Sequence, residues 1–203
     1  MIKKTYIKNA KLKWFESDTV FDALYPINIQ TLAKKHWTPI DVAKTAAEFL
    51  AIEPNSKILD IGSGVGKFCL TAAFFHPNNL FFGIEQRENL VEIAKQTQLK
   101  LGLKNILFMC GNVMEVDFSA YNHFYFYNAF FENIAGTDKI DEDIPYSIQK
   151  YNTYNLFLNK QLQKKPAGTR LVTFHSLENE VPKNFMLVDA KMDNLLKFWI
   201  KTS

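Results

Sequence analysis

Lys57-Ile58-Leu59-Asp60-Ile61-Gly62-Ser63-Gly64-Val65-Gly66-Lys67-Phe68 decides how the chain is read. A short apolar run ends in an acid, a glycine cluster follows, and a helical pattern opens behind it, so the segment predicts strand, turn, helix. Glycines in such a turn adopt positive φ and let backbone approach a ligand closely, while the first N–H groups of the helix stay free to donate. The turn therefore predicts a nucleotide-type site. The sixth position of the dinucleotide fingerprint G-x-G-x-x-G falls on Lys67, which removes the small residue that close packing around a pyrophosphate needs. No Gly-Lys-Ser/Thr follows as a phosphate loop requires. An NAD-type oxidoreductase stays open as an alternative, disfavoured by Lys67.

Outward from this segment, apolar runs alternate with helical patterns. Runs at 79–85, 105–110, 123–128 and 169–175 join 57–61 as strands, near-continuously hydrophobic as in sheets buried on both faces. Helices fill the gaps from Gly66 to Phe75, about Glu88 to Leu101 with Gly102 as cap, and about Pro145 to Leu162, giving strand-then-helix order throughout. Phe185 to Lys191 and Leu195 to Lys201 flank Met192-Asp193-Asn194 and predict a hairpin closing the sheet edge, with at least one strand antiparallel. Ahead of the first strand, a helix is expected over Pro26 to Lys35. Another starts at Thr38-Pro39-Ile40-Asp41, with Thr38 as N-cap. The expectation is one domain, 1–203, of the three-layer α/β/α class. It has about seven strands and divides into a helical annex (1–50) and a core (51–203).

The 203 residues, 47% apolar, suffice for one core and not for two full domains. Basic and acidic residues nearly cancel, 24 against 21, so charge gives no case for a dedicated nucleic-acid binder. Cys69 and Cys110 form neither a disulfide framework nor a zinc pattern, and both are expected as buried packing thiols in a reducing compartment. No apolar run follows the lysine-rich Lys3 to Lys13, read as a frayed solvated tail, and none is long enough for a membrane span, so a soluble cytoplasmic protein is expected.

The acid followed by G-x-G-x-G resembles the first motif of the class I S-adenosylmethionine (SAM)-dependent methyltransferases, whose fold is Rossmann-like. Glu85, 25 residues after Asp60, stands where that family binds the ribose hydroxyls, with Gln86 beside it. Gly111-Asn112-Val113 stands where the adenine is held, with Asn112 in place of the more frequent Asp, and Tyr127-Asn128-Ala129-Phe130-Phe131 where the methyl acceptor binds. The resemblance implies SAM as cofactor. Asp60, Gly62, Ser63, Gly64 and Gly66 would shape the methionine pocket, Glu85 bind the ribose, Asn112 and Val113 the adenine, Gln86 and Asn128 also touch the cofactor, and Asn128 with Phe130 serve catalysis on the acceptor side. Phe68, Phe130 and Phe131 would cradle the sulfur cation. The loop and the Asn128 segment together are similar to the donor site of non-SET histone-lysine methyltransferases and of bacterial methyltransferases of this size.

Methyl transfer needs alignment of two reactants and exclusion of water, not a metal or a covalent residue, which agrees with four scattered histidines. The expected acceptor is a protein lysine or a small amine, because the acidic loop 132–143 would steer cations if it folds over the site, while on its own it reads as a solvated run. A nucleic acid is not expected, since the Asn/Asp-Pro-Pro-aromatic motif of amino-methylating enzymes is missing after the fourth strand. Thr38 reads both as a helix cap and as part of a roof over the donor, and His175 ends the fifth strand without an assigned role. A non-catalytic SAM-binding or partner subunit remains the second alternative.

Overall fold

The computed structural model describes residues 11–203. Four short helices open it: α1 (Asp18–Asp22), α2 (Ile27–Gln30), α3 (Ala33–His36) and the longer α4 (Ile40–Leu50). The core then runs β1 (Lys57–Ile61), α5 (Lys67–Phe75), β2 (Leu80–Glu85), α6 (Glu88–Leu101), β3 (Ile106–Cys110), β4 (His123–Tyr127), α7 (Ile148–Gln163), β5 (Arg170–Phe174), β6 (Phe185–Lys191) and β7 (Leu196–Lys201). The seven strands are ordered β3-β2-β1-β4-β5-β7-β6. β1 to β5 are parallel, and β7 is antiparallel to both neighbours. This is a three-layer, Rossmann-like α/β/α fold with a C-terminal hairpin at its edge.

Side chains alternate along each strand, so one sheet feeds two cores. Ile58, Phe81, Tyr125, Val172 and Phe198 meet α4, α5, α6 and the annex. Leu59, Ile61, Phe124, Phe126, Leu171 and Trp199 meet Leu158 and Leu162 of α7. The sheet grows outward from β1 in both directions, and the reversal of strand order between β1 and β4 opens a crevice at their carboxyl ends.

Several expectations are corrected. No regular α-helix joins β3 to β4. Two single turns of 3₁₀ helix, Val113–Glu115 and Phe118–Ala120, replace it, each capped by an acceptor side chain, Asn112 on the Met114 N–H and Asp117 on the Ser119 N–H. The helix expected over Pro26 to Lys35 is broken into α2 and α3, because the Ile29 carbonyl accepts from the Trp37 indole (2.9 Å) and from Leu32 N–H instead of continuing the α ladder. α7 starts at Ile148, where Ser147 caps the Lys150 N–H. Thr38 caps nothing. The Ile40 N–H is taken by Asp18 Oδ1 at 2.9 Å, and the Thr38 hydroxyl pairs with that of Tyr125 at 3.1 Å. Cys69 is buried, but Cys110, on the edge strand β3, is exposed. Most of the lysine-rich stretch lies outside the described residues. Lys11, within them, is docked rather than frayed, donating to the Leu101 carbonyl at the end of α6. Among the described residues no helix is long and apolar enough to cross a membrane.

Candidate active site

The carboxyl ends of the parallel strands, where free backbone groups and loops converge, form a cleft of about 400 Å³. Gly62 and Gly64 come from the turn after β1, Glu85 to Arg87 follow β2, and Gly111 to Val113 follow β3. Asn128 to Asn133 follow β4, and His175 follows β5. Lys34, Lys35, His36 and Trp37 roof it from the annex. The glycine requirement is steric as well as conformational. Gly62 has φ +73°, and a Cβ there would sit 2.2 Å from Ala129 Cβ; at Gly64 a Cβ would sit 2.8 Å from the Trp37 ring. The turn is thus pressed between the β4 segment and the roof.

Glu85 lies on the cleft wall, almost wholly buried. Its Oε2 accepts from Gly64 N–H (3.1 Å) and its Oε1 from Arg87 N–H (3.0 Å), leaving each oxygen one acceptor position. Burial pushes its pKa up, and the Arg87 N–H and guanidinium oppose the shift. Asn112 is fixed from two sides: Oδ1 accepts from Met114 N–H (3.0 Å) and Nδ2 donates to the Tyr154 hydroxyl (3.1 Å). Tyr154 in turn stacks on Phe130, with ring centroids 5.2 Å apart. Asn128 and His175, at neighbouring strand ends, both have left-handed backbone, φ +42° and +55°. The His175 ring stands edge-on to Phe174 at 4.3 Å. Burial lowers the pKa of both His36 and His175.

Of the residues singled out in sequence, Gly62, Gly64, Glu85, Gln86, Asn112, Val113, Asn128, Phe130 and Phe131 are brought together on the cleft. Five others are not. Phe68 is buried in the core, stacked on Tyr125 at 4.0 Å, and cannot cradle a cation in the cleft. Thr38 is held against that same tyrosine. Gly66 accommodates Phe108, since a Cβ at Gly66 would meet that ring at 2.4 Å. Ser63 is buried against Gly83, with its hydroxyl unpaired. Asp60 lies beneath the turn, 3.6 Å from the Cys69 thiol, and burial raises its pKa to about 8.

The sequence reading missed Arg87. Its guanidinium is buried and gathers the segment after β4: Nη2 reaches Glu132 at 2.8 Å and the Tyr146 hydroxyl at 2.7 Å, and Nε reaches Asp141 at 3.0 Å. Burial alone would lower its pKa, but Glu132 and Glu85 more than offset that and raise it. The one available signal was a cation directly behind a strand-end acid, in the Glu85-Gln86-Arg87 triplet. The acidic loop is consequently not a free anionic surface, because Glu132 and Asp141 pair with Arg87, Asp138 with Lys35, and Glu142 with Lys139. Lys67 also has a structural partner set: it is buried, 2.7 Å from Asp18 and 2.6 Å from Asp22 of the annex.

Residues 54–124 match the family described as "Putative methyltransferase". Over 55 residues the chain is 46% identical to a tRNA (guanine-N(7)-)-methyltransferase of Synechocystis sp., covering 27% of this chain and 26% of that protein. Over 116 residues it is 29% identical to the protein of the same name from Lactobacillus acidophilus, covering 54% and 48%. The chain thus spans between a quarter and a half of the length of these curated relatives. Among solved structures, the RNA methyltransferase from Salinibacter ruber in complex with S-adenosyl-L-homocysteine superposes with TM-score 0.58 at 20% identity, over 82% of this chain and 94% of that one. TrmN from Thermus thermophilus gives 0.59 at 18%, over 84% and 51%. These two likenesses establish the fold, and the matched segment is the one that carries the glycine turn and Glu85. Residues 54–124 are thus similar to a methyltransferase family, and the fold around them is the one seen in these methyltransferase structures.

Proposed function

We propose that the chain is a SAM-dependent methyltransferase whose acceptor is a guanine ring nitrogen in RNA, with tRNA the first substrate to test. The observation that carries the donor half is the cleft itself: Gly62 and Gly64 line it with bare backbone, and Glu85 keeps one free acceptor position on each oxygen, which suits a vicinal diol. These residues fit SAM. Gly62 and Gly64 would border its methionine portion, Glu85 and Gln86 its ribose, and Asn112 and Val113 its adenine. The two tRNA methyltransferases that the chain resembles support the acceptor half, in place of a protein lysine or small amine with no clear nucleic-acid binding.

The donor supplies a methyl group on a positively charged sulfur. The chain's own residues then have to align and dry the site. Asn128 and Phe130, on the acceptor side, would orient a flat base, while Trp37 and the segment after β4 exclude water. Guanine N7 attacks the methyl carbon with its in-plane lone pair as the bond to sulfur breaks; it carries no proton to lose and becomes a cationic 7-methylguanine, so the cleft needs no general base. The missing amino-methylation motif therefore does not weigh against this acceptor.

Incubation with methyl-labelled SAM and total tRNA should place the label in nuclease-sensitive material that yields N7-methylguanosine on digestion. Label recovered in nuclease-resistant protein would overturn the RNA assignment. Binding of S-adenosylhomocysteine without product from any fraction would instead favour a non-catalytic subunit.

A further inference from the structure

Between β4 and α7 the chain runs from Asn128 to Ser147 without regular structure beyond one 3₁₀ turn at Phe131–Asn133. Its first residues line the cleft on the acceptor side. From Phe131 to Tyr146 only Asn133 is buried, and Ile140 packs half-buried against the core. Besides these and the exposed Lys35–Asp138 pair, the polar contacts that hold the loop to the rest of the chain converge on one side chain. Arg87 reaches Glu132 through Nη1 (3.3 Å) and Nη2 (2.8 Å), Asp141 through Nε (3.0 Å) and Tyr146 through Nη2 (2.7 Å). Tyr146 closes the ring back onto the Asp141 carbonyl (2.7 Å), and Glu132 also accepts from Ile140 N–H (3.1 Å). The same arginine stands 3.6 Å from Glu85 through Nη1 and donates its backbone N–H to that carboxylate. A planar fork with five donors can serve three partners at fixed angles, which an ammonium cannot.

We propose that Arg87 is a positioning residue that holds the loop 131–146 against the donor site, so that the acceptor wall of the cleft is assembled through it and tightens when a donor engages Glu85. The role rests on the donor-site reading above. Its charge logic is local: Glu85, Glu132 and Asp141 surround a single buried cation, and without it the three carboxylates repel one another and the loop swings away. Donor hydroxyls on Glu85 would hold that carboxylate ionised and in place, and through it the guanidinium. Donor occupancy is thereby transmitted to the loop.

Amide hydrogen exchange on the full chain, with and without S-adenosylhomocysteine, tests this. In Arg87→Met, amides of 131–146 should exchange at least about tenfold faster than in the wild type, because charged hydrogen bonds worth about 1.5–3 kcal/mol each are lost, while amides of α4 to α6 stay protected. S-adenosylhomocysteine should slow loop exchange in the wild type and not in the variant. In the transfer assay, KM for RNA should rise and kcat fall with SAM affinity changed by less than a few fold, and Arg87→Lys should restore only a minor part. The triple variant Arg87→Met/Glu132→Gln/Asp141→Asn removes the charge imbalance and reports on the loop if the single variant does not fold. Unchanged loop exchange, equal losses in donor and acceptor binding, or failure of both variants to fold overturns the proposal. Absence of S-adenosylhomocysteine binding by the wild type would sink the donor reading alone, since exchange in the free protein still decides whether Arg87 holds the loop.

Discussion

Two buried cations, Lys67 under the annex and Arg87 on the cleft, fasten their surroundings in different ways. Lys67, at the start of α5, takes Asp18 and Asp22 of the annex inside a packed aromatic cluster in which Phe15 and Phe21 are essentially inaccessible. The ammonium lies 5.7 Å from the Phe21 ring, and the Tyr25 hydroxyl donates to the Val65 carbonyl at 3.2 Å. Arg87 contacts a loop in which only Asn133 of residues 131–146 is buried. The annex is thus part of the global fold, with the Lys67–Asp22 pair set into apolar packing, whereas on the proposal above the loop 131–146 would be a separable unit ordered chiefly through Arg87. If the proposed function holds, a roof that stays in place beside a wall that can open would suit the admission of a large acceptor.

The largest expected effect falls on the packed side. Lys67→Met leaves the Asp22 carboxyl buried without its partner and should lower global stability by about 3 kcal/mol, since removing one member of a buried pair strands the other. Urea unfolding measures it. If the variant instead loosens only the segment 131–146, the contrast between the two cations is wrong. Glu85→Gln comes next and sits between the two regions. An amide cannot accept from both the Gly64 and the Arg87 N–H groups, so S-adenosylhomocysteine affinity should fall about tenfold or more by titration calorimetry. Unchanged affinity would remove Glu85 from the donor site. Asp60 gives a pH test of the packed side. Its folded pKa, about 8, lies above the ordinary carboxylate range of about 4. The folded state therefore binds the extra proton between these values, and the stability it confers is complete below pH ~4 and lost as the pH rises through about 8. Wild-type stability should decline relative to Asp60→Asn across that window, and parallel pH profiles would show that Asp60 is already ionised.

The same contrast marks what the sequence made legible. The glycine turn, Glu85, the five parallel strands and the hairpin were readable because each rests on a local rule: periodicity, a turn residue, an acid at a strand end. Residues whose partners are remote in sequence were not. Arg87 meets Glu132 and Asp141, 45 and 54 positions away, and Lys67 meets Asp22, 45 positions away, so spacing says nothing of either. Phe68 and Gly66 were misplaced for a related reason: a position next to the turn does not reveal which way a residue faces, and both turn inward, onto Tyr125 and Phe108. Thr38 had the right residue type for a cap, but Asp18 from another helix supplied it. The acidic loop looked anionic because its counter-charges, Arg87, Lys35 and Lys139, come from other parts of the chain or from its own fold.

The smallest effect is expected at His175, and its sign separates function from packing. A left-handed backbone at φ +55° costs a non-glycine residue about 1 kcal/mol or more, and glycine adopts it freely. Against that gain, glycine adds freedom to the unfolded chain and gives up the edge-on contact of the imidazole with Phe174, so His175→Gly should change stability by no more than about 1 kcal/mol. The side chain faces the cleft from the strand end next to Asn128, on the acceptor side, so the same variant should raise KM for RNA while leaving S-adenosylhomocysteine affinity unchanged. Near-neutral stability with impaired acceptor binding means that the strained position is kept for the ring it carries. A variant that folds as well and methylates as well as the wild type would leave the acceptor wall to Asn128, Phe130 and the loop that Arg87 holds.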